Sequence, residues 1–126
     1  MTIVVTAAII ERHGRWLMAR RVKGTHLEGL WEFPGGKIEA GESLETCLAR
    51  ELAEELGVPC HVGALRLTTV HDYPGRRIEL HFFDCTIDGE PRPLLGQDLR
   101  WVTASELASL PLPEADAGLV SLLTHK

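Results

Sequence analysis

Three glutamates in one short segment are the residues of this chain best suited to chemistry. Glu51, Glu54 and Glu55 lie within residues 36–58, and the second half of that segment is predicted to form a helix over residues 43–56. The helix has a serine at its start and a glycine just after its end, which are residues favoured at those positions. Carboxylates three and four positions apart lie on one side of a helix, where together they could bind a cation or move protons.

These glutamates interrupt an apolar surface of the same helix. A periodicity of about 100° per residue aligns Leu44, Leu48, Leu52 and Leu56 into one stripe. Glu51 and Glu55 are expected in or beside this stripe, and Glu54 at its edge. Two like charges about 6 Å apart repel by roughly 3 kcal/mol at an effective dielectric constant of about 20. Arg50 alone cannot neutralise three carboxylates, so the pattern favours a hard divalent cation such as Mg²⁺. The alternative is a solvated charged helix face that binds no metal.

The segment resembles the Nudix box. A glycine, a glutamate after five residues and, after seven more, the run Arg-Glu-aliphatic-x-Glu-Glu-x-Gly-aliphatic are complete over residues 36–58. The flanking sequence LWEFPGGK at residues 30–37 is similar to the MutT-like branch, whose members act on nucleoside triphosphates. The resemblance implies an α/β (α+β) fold, an α/β/α sandwich with a mixed β-sheet between helices.

The resemblance also implies a metal site and catalytic residues. Glu51, Glu54 and Arg50 are the implied catalytic residues, with Glu51 favoured as the general base. Mg²⁺, with Mn²⁺ as the alternative ion, would be held by Glu51, Glu54, Glu55 and the backbone carbonyl of Gly35. Glycine at that position lets the chain approach an ion closely.

Arg50 and the loop before the last strand raise two further questions. Arg50 is expected to brace Glu42, which would tie the glycine-rich loop to the helix. The alternative is a simple surface pair of Arg50 with Glu54. MutT-like proteins usually carry another metal-binding glutamate in the later loop, where this chain has Leu95. Either Asp98, with Glu90 as the next nearest carboxylate, replaces it, or the site lacks that ligand, which leaves the number of metal ions open.

Six residues are expected to contact substrate by the same resemblance: Arg21, His26, Phe33, Tyr73, Arg76 and Asp116. Arg21 suits phosphate through its planar guanidinium, and Tyr73 could stack on a base. Asp116 stands where the MutT group uses an asparagine, and an ionised aspartate can only accept hydrogen bonds. It would therefore favour a base edge rich in N–H donors, such as cytosine, guanine or 8-oxoguanine. The alternatives are ordinary surface or turn residues, with Asp116 favouring the start of a helix.

Composition narrows the class of protein. A net charge of −5 without a basic block argues against duplex nucleic acid or an anionic membrane as the main partner. Three cysteines without metal-binding spacing are typical of reduced thiols in a cytoplasmic protein. The apolar run at residues 2–10 is too short to span a bilayer.

One domain is expected over residues 1–126. Strands are predicted at residues 2–10, 15–21, 60–71, 77–87 and 99–102, with a short extended piece at 30–33. Residues 34–36 are expected to form a rigid turn. Helices are predicted at residues 43–56, 105–110 and 113–123.

The leading hypothesis is Mg²⁺-dependent hydrolysis of nucleoside triphosphates to the monophosphate and pyrophosphate, by a monomer or homodimer. Its purpose would be removal of 8-oxo-dGTP or cytidine-type triphosphates from the nucleotide pool. The alternatives are hydrolysis of another nucleoside diphosphate derivative, such as ADP-ribose, and nucleotide binding without catalysis.

Overall fold

Alternation along the first strand, β1 (Thr2–Arg12), organises the fold. Ala7 and Ile9 contribute to one hydrophobic core, whereas Ala8 and Ile10 contribute to a second core on the opposite face. Side chains alternate between faces along a strand, so a strand that is apolar at successive positions must be covered on both sides.

The computed structural model describes residues 1–25 and 28–124. After β1 the strands are β2 (Arg15–Arg20), β3 (Trp31–Glu32), β4 (Gly35–Lys37), β5 (Cys60–Tyr73), β6 (Arg76–Ile87) and β7 (Leu99–Val102). The helices are α1 (Leu44–Leu56), α2 (Ala104–Ser109) and α3 (Ala117–Thr124), and a 3₁₀ turn at Glu114–Asp116 leads into α3.

The sheet is mixed, as expected. Its main strand order is β3-β2-β1-β6-β5, with β4 paired to β1 and β7 paired to β2. Strands β1 and β6 run parallel, from Thr2 opposite Arg77 to Ile10 opposite Cys85, and the other pairs are antiparallel. Helix α1 covers one face of the sheet, and α2 and α3 cover the other. The predicted α+β sandwich with a mixed sheet between helices is therefore confirmed.

Helix α1 begins and ends where its caps are. The Ser43 hydroxyl accepts a hydrogen bond from the Thr46 N–H at 3.1 Å, and Gly57 ends the helix in the left-handed conformation at φ 66°. Leu48, Leu52 and Leu56 are fully buried. Burial of this stripe holds the helix against the sheet. Glu51 and Glu55 beside it are half-buried, whereas Glu54 is exposed.

The expected turn at residues 34–36 was wrong in part. Gly35–Lys37 forms strand β4, antiparallel to β1 with Gly36 opposite Thr6. A Cβ atom on Gly35 would overlap the Thr6 carbonyl, so only glycine permits this approach. The other predicted elements are present, with ends that differ by a few residues. No helix within residues 1–25 and 28–124 is long and apolar enough to cross a membrane.

Leu52→Ala should destabilise the protein by about 2–5 kcal/mol, because it leaves a cavity under α1. Urea denaturation measures the free energy of unfolding. Leu122→Ala in α3 is the matched control, since Leu122 is 48% exposed and should change stability by about 0.5 kcal/mol or less. Equal losses for the two variants would contradict the burial of the leucine stripe.

Candidate active site

Arg50 of helix α1 binds Glu42, which lies in the loop between β4 and α1. The Arg50 Nε and Nη2 atoms donate to the two carboxylate oxygens of Glu42 at 2.6 and 2.9 Å. Glu42 also accepts the backbone N–H of Glu39 at 2.9 Å. These hydrogen bonds, that from Arg50 above all, lower the pKa of Glu42 to about 2. The expected contact between Arg50 and Glu42 is present and uses the two-pronged geometry in which arginine binds carboxylate most firmly.

The third nitrogen of the same guanidinium faces the other glutamates. Arg50 Nη1 donates to Glu51 at 3.0 Å and to Glu54 at 3.3 Å. The alternative Arg50–Glu54 pair therefore exists, but as one contact of a larger network. Burial still raises the pKa of Glu51 although Arg50 opposes the shift. Glu39 lies 3.7 Å from the same nitrogen, so one positive charge is shared among four carboxylates.

Within the described residues, Glu55 is not one of the carboxylates that form an ion pair with Arg50. Its Oε2 atom is buried and has no hydrogen-bond partner among the described residues. Burial, with repulsion from Glu32 and Glu51, raises the pKa of Glu55 to about 8, and the backbone N–H of Gly35 offsets only part of this. A buried carboxylate without a counter-charge keeps its proton or requires a cation.

Glycine brings the loop directly onto these carboxylates. A Cβ atom on Gly36 would overlap the carboxylate of Glu51. The backbone of Gly35 and Gly36 therefore packs against Glu51 and Glu55 with no side chain between them.

The donors at this site fit a hard divalent cation. Among residues 1–25 and 28–124, no three acidic, histidine or cysteine side chains already form a metal cage. Mg²⁺ does not need one, because it keeps several waters and binds through one or two carboxylates together with substrate phosphates. The Oε2 atom of Glu55, which has no hydrogen-bond partner among the described residues, fits such a ligand. Glu51 and Glu54 lie next to Glu55 on the helix and complete a partial ligand set.

A cavity of about 380 Å³ opens beside Glu55. It brings together most of the residues expected to contact substrate: Arg21, Phe33, Tyr73, Arg76 and Asp116, with Gly35 also in its wall. The remaining one, His26, lies outside the described residues. The cavity is within the size range of sites that bury a small molecule, so a nucleotide base and sugar could occupy it next to the glutamates.

Two further acidic side chains modify this cavity. Glu32, which sequence reasoning did not single out, lines it and accepts a hydrogen bond from Arg21 Nη1 at 2.8 Å. Asp116 is 4% exposed, and burial together with the charge of Glu32 raises its pKa to about 7. Near neutral pH the protonated form of Asp116 can therefore also donate a hydrogen bond, which the sequence pattern did not predict. The only sequence signal for Glu32 is its charge between the two aromatic residues Trp31 and Phe33.

The loop before the last strand presents an apolar residue to the cavity. Leu95 lines the wall and is 58% exposed. Gln97 anchors this loop, because it donates to the Glu55 carbonyl at 3.0 Å and accepts the Leu95 N–H at 2.9 Å. Asp98 lies 3.6 Å from Arg20 and lines a neighbouring cavity. Glu90 pairs with an arginine of β1 at 3.0 Å. Both carboxylates considered as replacements for the missing glutamate are thus paired with arginines.

Comparison with known proteins decides the family. The family model for the NUDIX domain matches residues 5–122. The chain belongs to the NUDIX domain family. The predicted resemblance is confirmed, and the segment 36–58 of this Nudix protein carries the three glutamates and Arg50 described above.

Relatives of this Nudix protein have closely matching lengths. It is 40% identical to the CTP pyrophosphohydrolase of Escherichia coli K12, over 94% of this chain and 88% of the relative. It is 34% identical to the 8-oxo-dGTP diphosphatase of Haemophilus influenzae, over 98% and 93%. Among solved structures, a MutT protein from work on Aliivibrio salmonicida and Vibrio cholerae superposes with a TM-score of 0.81. That structure is 31% identical, and the match covers 98% of this chain and 97% of the other.

The raised pKa of Glu55 predicts a pH-dependent stability in the absence of metal. The folded state favours the protonated carboxyl, so this contribution is fully present below pH 4.5 and is lost as pH rises to about 8. Glu55→Gln should reduce this dependence, to which the buried Asp116 also contributes, and should unfold at a higher temperature than the parent at pH 9. Thermal unfolding between pH 5 and pH 9 measures this difference.

Glu45→Gln is the control, because Glu45 is an exposed glutamate of the same helix. Its pH profile should follow that of the parent. Addition of Mg²⁺ at pH 8 should stabilise the parent and Glu45→Gln, but not Glu55→Gln. A parent profile identical to that of Glu55→Gln would contradict the burial of an unpaired carboxylate.

Proposed function

We propose that this Nudix protein hydrolyses nucleoside triphosphates to the nucleoside monophosphate and pyrophosphate, with Mg²⁺ or Mn²⁺ as its cofactor. The observation that carries the proposal is the buried Glu55 Oε2 atom, which has no hydrogen-bond partner among the described residues. It lies next to two glutamates that share one arginine and beside a cavity of nucleoside size. The relatives named above, which act on CTP and 8-oxo-dGTP, support the same substrate class.

The residues divide the chemistry as follows. Glu51, Glu54, Glu55 and the Gly35 carbonyl would hold the cation, which when bound would neutralise phosphate charge and lower the pKa of water. Glu51 would accept the proton of the attacking water, and its burial favours the protonated form. Arg50 holds Glu51 and Glu54 in place through its contact with the loop.

Base selection is assigned to other residues of the cavity wall. Phe33 and Tyr73 provide aromatic walls, and Arg21 and Arg76 provide charge for phosphate or sugar contacts. Asp116 meets the base edge. Its ionised form accepts from the amino group of a cytosine or guanine, and its protonated form can also donate to a carbonyl such as that of 8-oxoguanine.

We further propose that the protein acts in the cytoplasm on free nucleotides, as a monomer or homodimer, and removes damaged or cytidine-type triphosphates from the pool. Duplex nucleic acid and membranes are not expected partners.

A substrate screen tests the proposal. Normal and modified nucleoside triphosphates, ADP-ribose and a dinucleoside polyphosphate are incubated with Mg²⁺, and pyrophosphate and phosphate are measured separately. Pyrophosphate release from triphosphates supports the proposal. Exclusive cleavage of ADP-ribose or of the dinucleotide would assign the second hydrolase class, and nucleotide binding without any turnover would assign a binding module.

Glu54→Gln should lower kcat on the best triphosphate by about 100-fold or more, because a ligand to the cation is lost. Glu45→Gln on the same helix should retain the parent rate. Steady-state kinetics at saturating Mg²⁺ measure the change. Parent activity in Glu54→Gln would contradict the assignment of this glutamate.

Asp116→Asn should remove a pH dependence from kcat/KM. For a base with a free amino group, the parent kcat/KM should rise through about pH 7 as Asp116 ionises. The asparagine variant, which does not titrate, should lack that step. Asp88→Asn, at an exposed aspartate that pairs with His61, should keep it. A step near pH 7 that persists in Asp116→Asn would exclude Asp116 as its source.

A further inference from the structure

Two buried polar side chains meet beneath the glycine-rich loop, where the proposed mechanism assigns no role. Thr6 of β1 and Cys47 of α1 are both fully buried. The Thr6 Oγ1 and Cys47 Sγ atoms are 3.4 Å apart. A buried hydroxyl and a buried thiol need partners, because an unsatisfied buried polar group is costly. Arg50 Nη2, 3.9 Å from Cys47 Sγ, is one such neighbour.

Both side chains also reach the carbonyl oxygen of Gly36. Cys47 Sγ lies 3.8 Å from that oxygen, and Thr6 Oγ1 lies 3.4 Å from it. An arrangement in which the hydroxyl donates to sulfur and the thiol donates to the carbonyl satisfies all three groups. This contact joins strand β1, strand β4 and helix α1 at one point.

That point adjoins the proposed cation ligands. Gly36 packs on the carboxylate of Glu51 so closely that a Cβ atom would overlap it. The N–H of the preceding residue, Gly35, faces the carboxylate of Glu55. A shift of the Gly36 carbonyl would therefore move the loop backbone relative to both glutamates.

We propose that Thr6 and Cys47 are positioning residues that fix the backbone of Gly35 and Gly36 in strand β4 against Glu51 and Glu55, and so set the affinity for the divalent cation. The inference rests on the proposed function, because it assumes that these glutamates bind the cation. Groups that hold ligands from behind in this way typically change metal affinity by 10–100-fold when they are removed.

Direct Mn²⁺ binding, followed by the electron paramagnetic resonance signal of free Mn²⁺ without nucleotide, tests this role apart from activity. Thr6→Val keeps the side-chain shape but removes the hydroxyl, and Cys47→Ala removes the thiol. Each should raise the Kd for Mn²⁺ about tenfold. Thr6→Ser, which retains the hydroxyl, should stay within about twofold of the parent. At saturating metal, the nucleotide KM should be unchanged in all variants.

Matched controls separate positioning from general loss of packing. Thr124→Val removes a hydroxyl that donates within α3, and Cys85→Ala removes a buried thiol from the same core as the leucines of α1. Both should bind Mn²⁺ as the parent does. Parent affinity in Thr6→Val, or an equal loss in Cys85→Ala with a matching fall in Tm, would overturn the inference. If Thr6→Val does not fold, Cys47→Ala and Thr6→Ser decide the question on the same criteria.

The two levels of the argument fail differently. A parent protein that binds no Mn²⁺ would overturn the proposed cation site, and this inference with it. If the parent binds Mn²⁺ and the Thr6→Val and Cys47→Ala variants bind it equally tightly, the cation site is supported and only the positioning role is overturned.

Discussion

The main constraint on this structure is that one arginine, Arg50, lies beside more carboxylates than its single charge can neutralise. Arg50 contacts Glu42, Glu51 and Glu54, and it leaves the buried carboxylate of Glu55 without a counter-charge. A buried, unpaired carboxylate is unfavourable, so it persists only where a proton or another cation completes it. A divalent cation bridged to a polyphosphate would remove this repulsion and place the phosphates beside the cavity. In this view, the repulsion among the carboxylates of the metal-free site is relieved when a cation binds, and this relief contributes to the affinity for the cation.

The fold makes that arrangement unavoidable. Strand β1 is apolar on both faces, and the leucine stripe of α1 seals one of them. A helix pressed onto a sheet cannot rotate Glu51 and Glu55 into solvent without exposing its leucines, whereas Glu54 is already exposed. The glycines of β4 then bring a bare backbone against the same carboxylates. On the opposite face of the sheet, α2 and α3 pack against the core that contains Ala7 and Ile9, and the 3₁₀ turn before α3 places Asp116 in the cavity wall.

Local patterns predicted much of this, and tertiary contacts account for what they missed. The leucine period, Ser43 and Gly57 are local signals, and they placed α1 nearly to the residue. Pro34, Gly35 and Gly36 were expected to form a turn. The pairing of the two glycines with β1 is a long-range contact that no local pattern encodes. The same reason hid the link between Thr6 and Cys47, which are 41 residues apart. The raised pKa of Asp116 could not be predicted either, since it arises from burial and from the charge of Glu32, a distant residue in the sequence.

The most direct test of the central claim is a crystal structure of the protein with Mn²⁺ and a non-hydrolysable nucleoside triphosphate, measured with anomalous scattering. The account predicts an anomalous peak about 2.0–2.2 Å from a carboxylate oxygen of Glu55, a hard-cation ligand distance, with phosphate oxygens on the same ion. Glutamates turned to solvent with no peak beside them, while the nucleotide occupies the cavity, would contradict it.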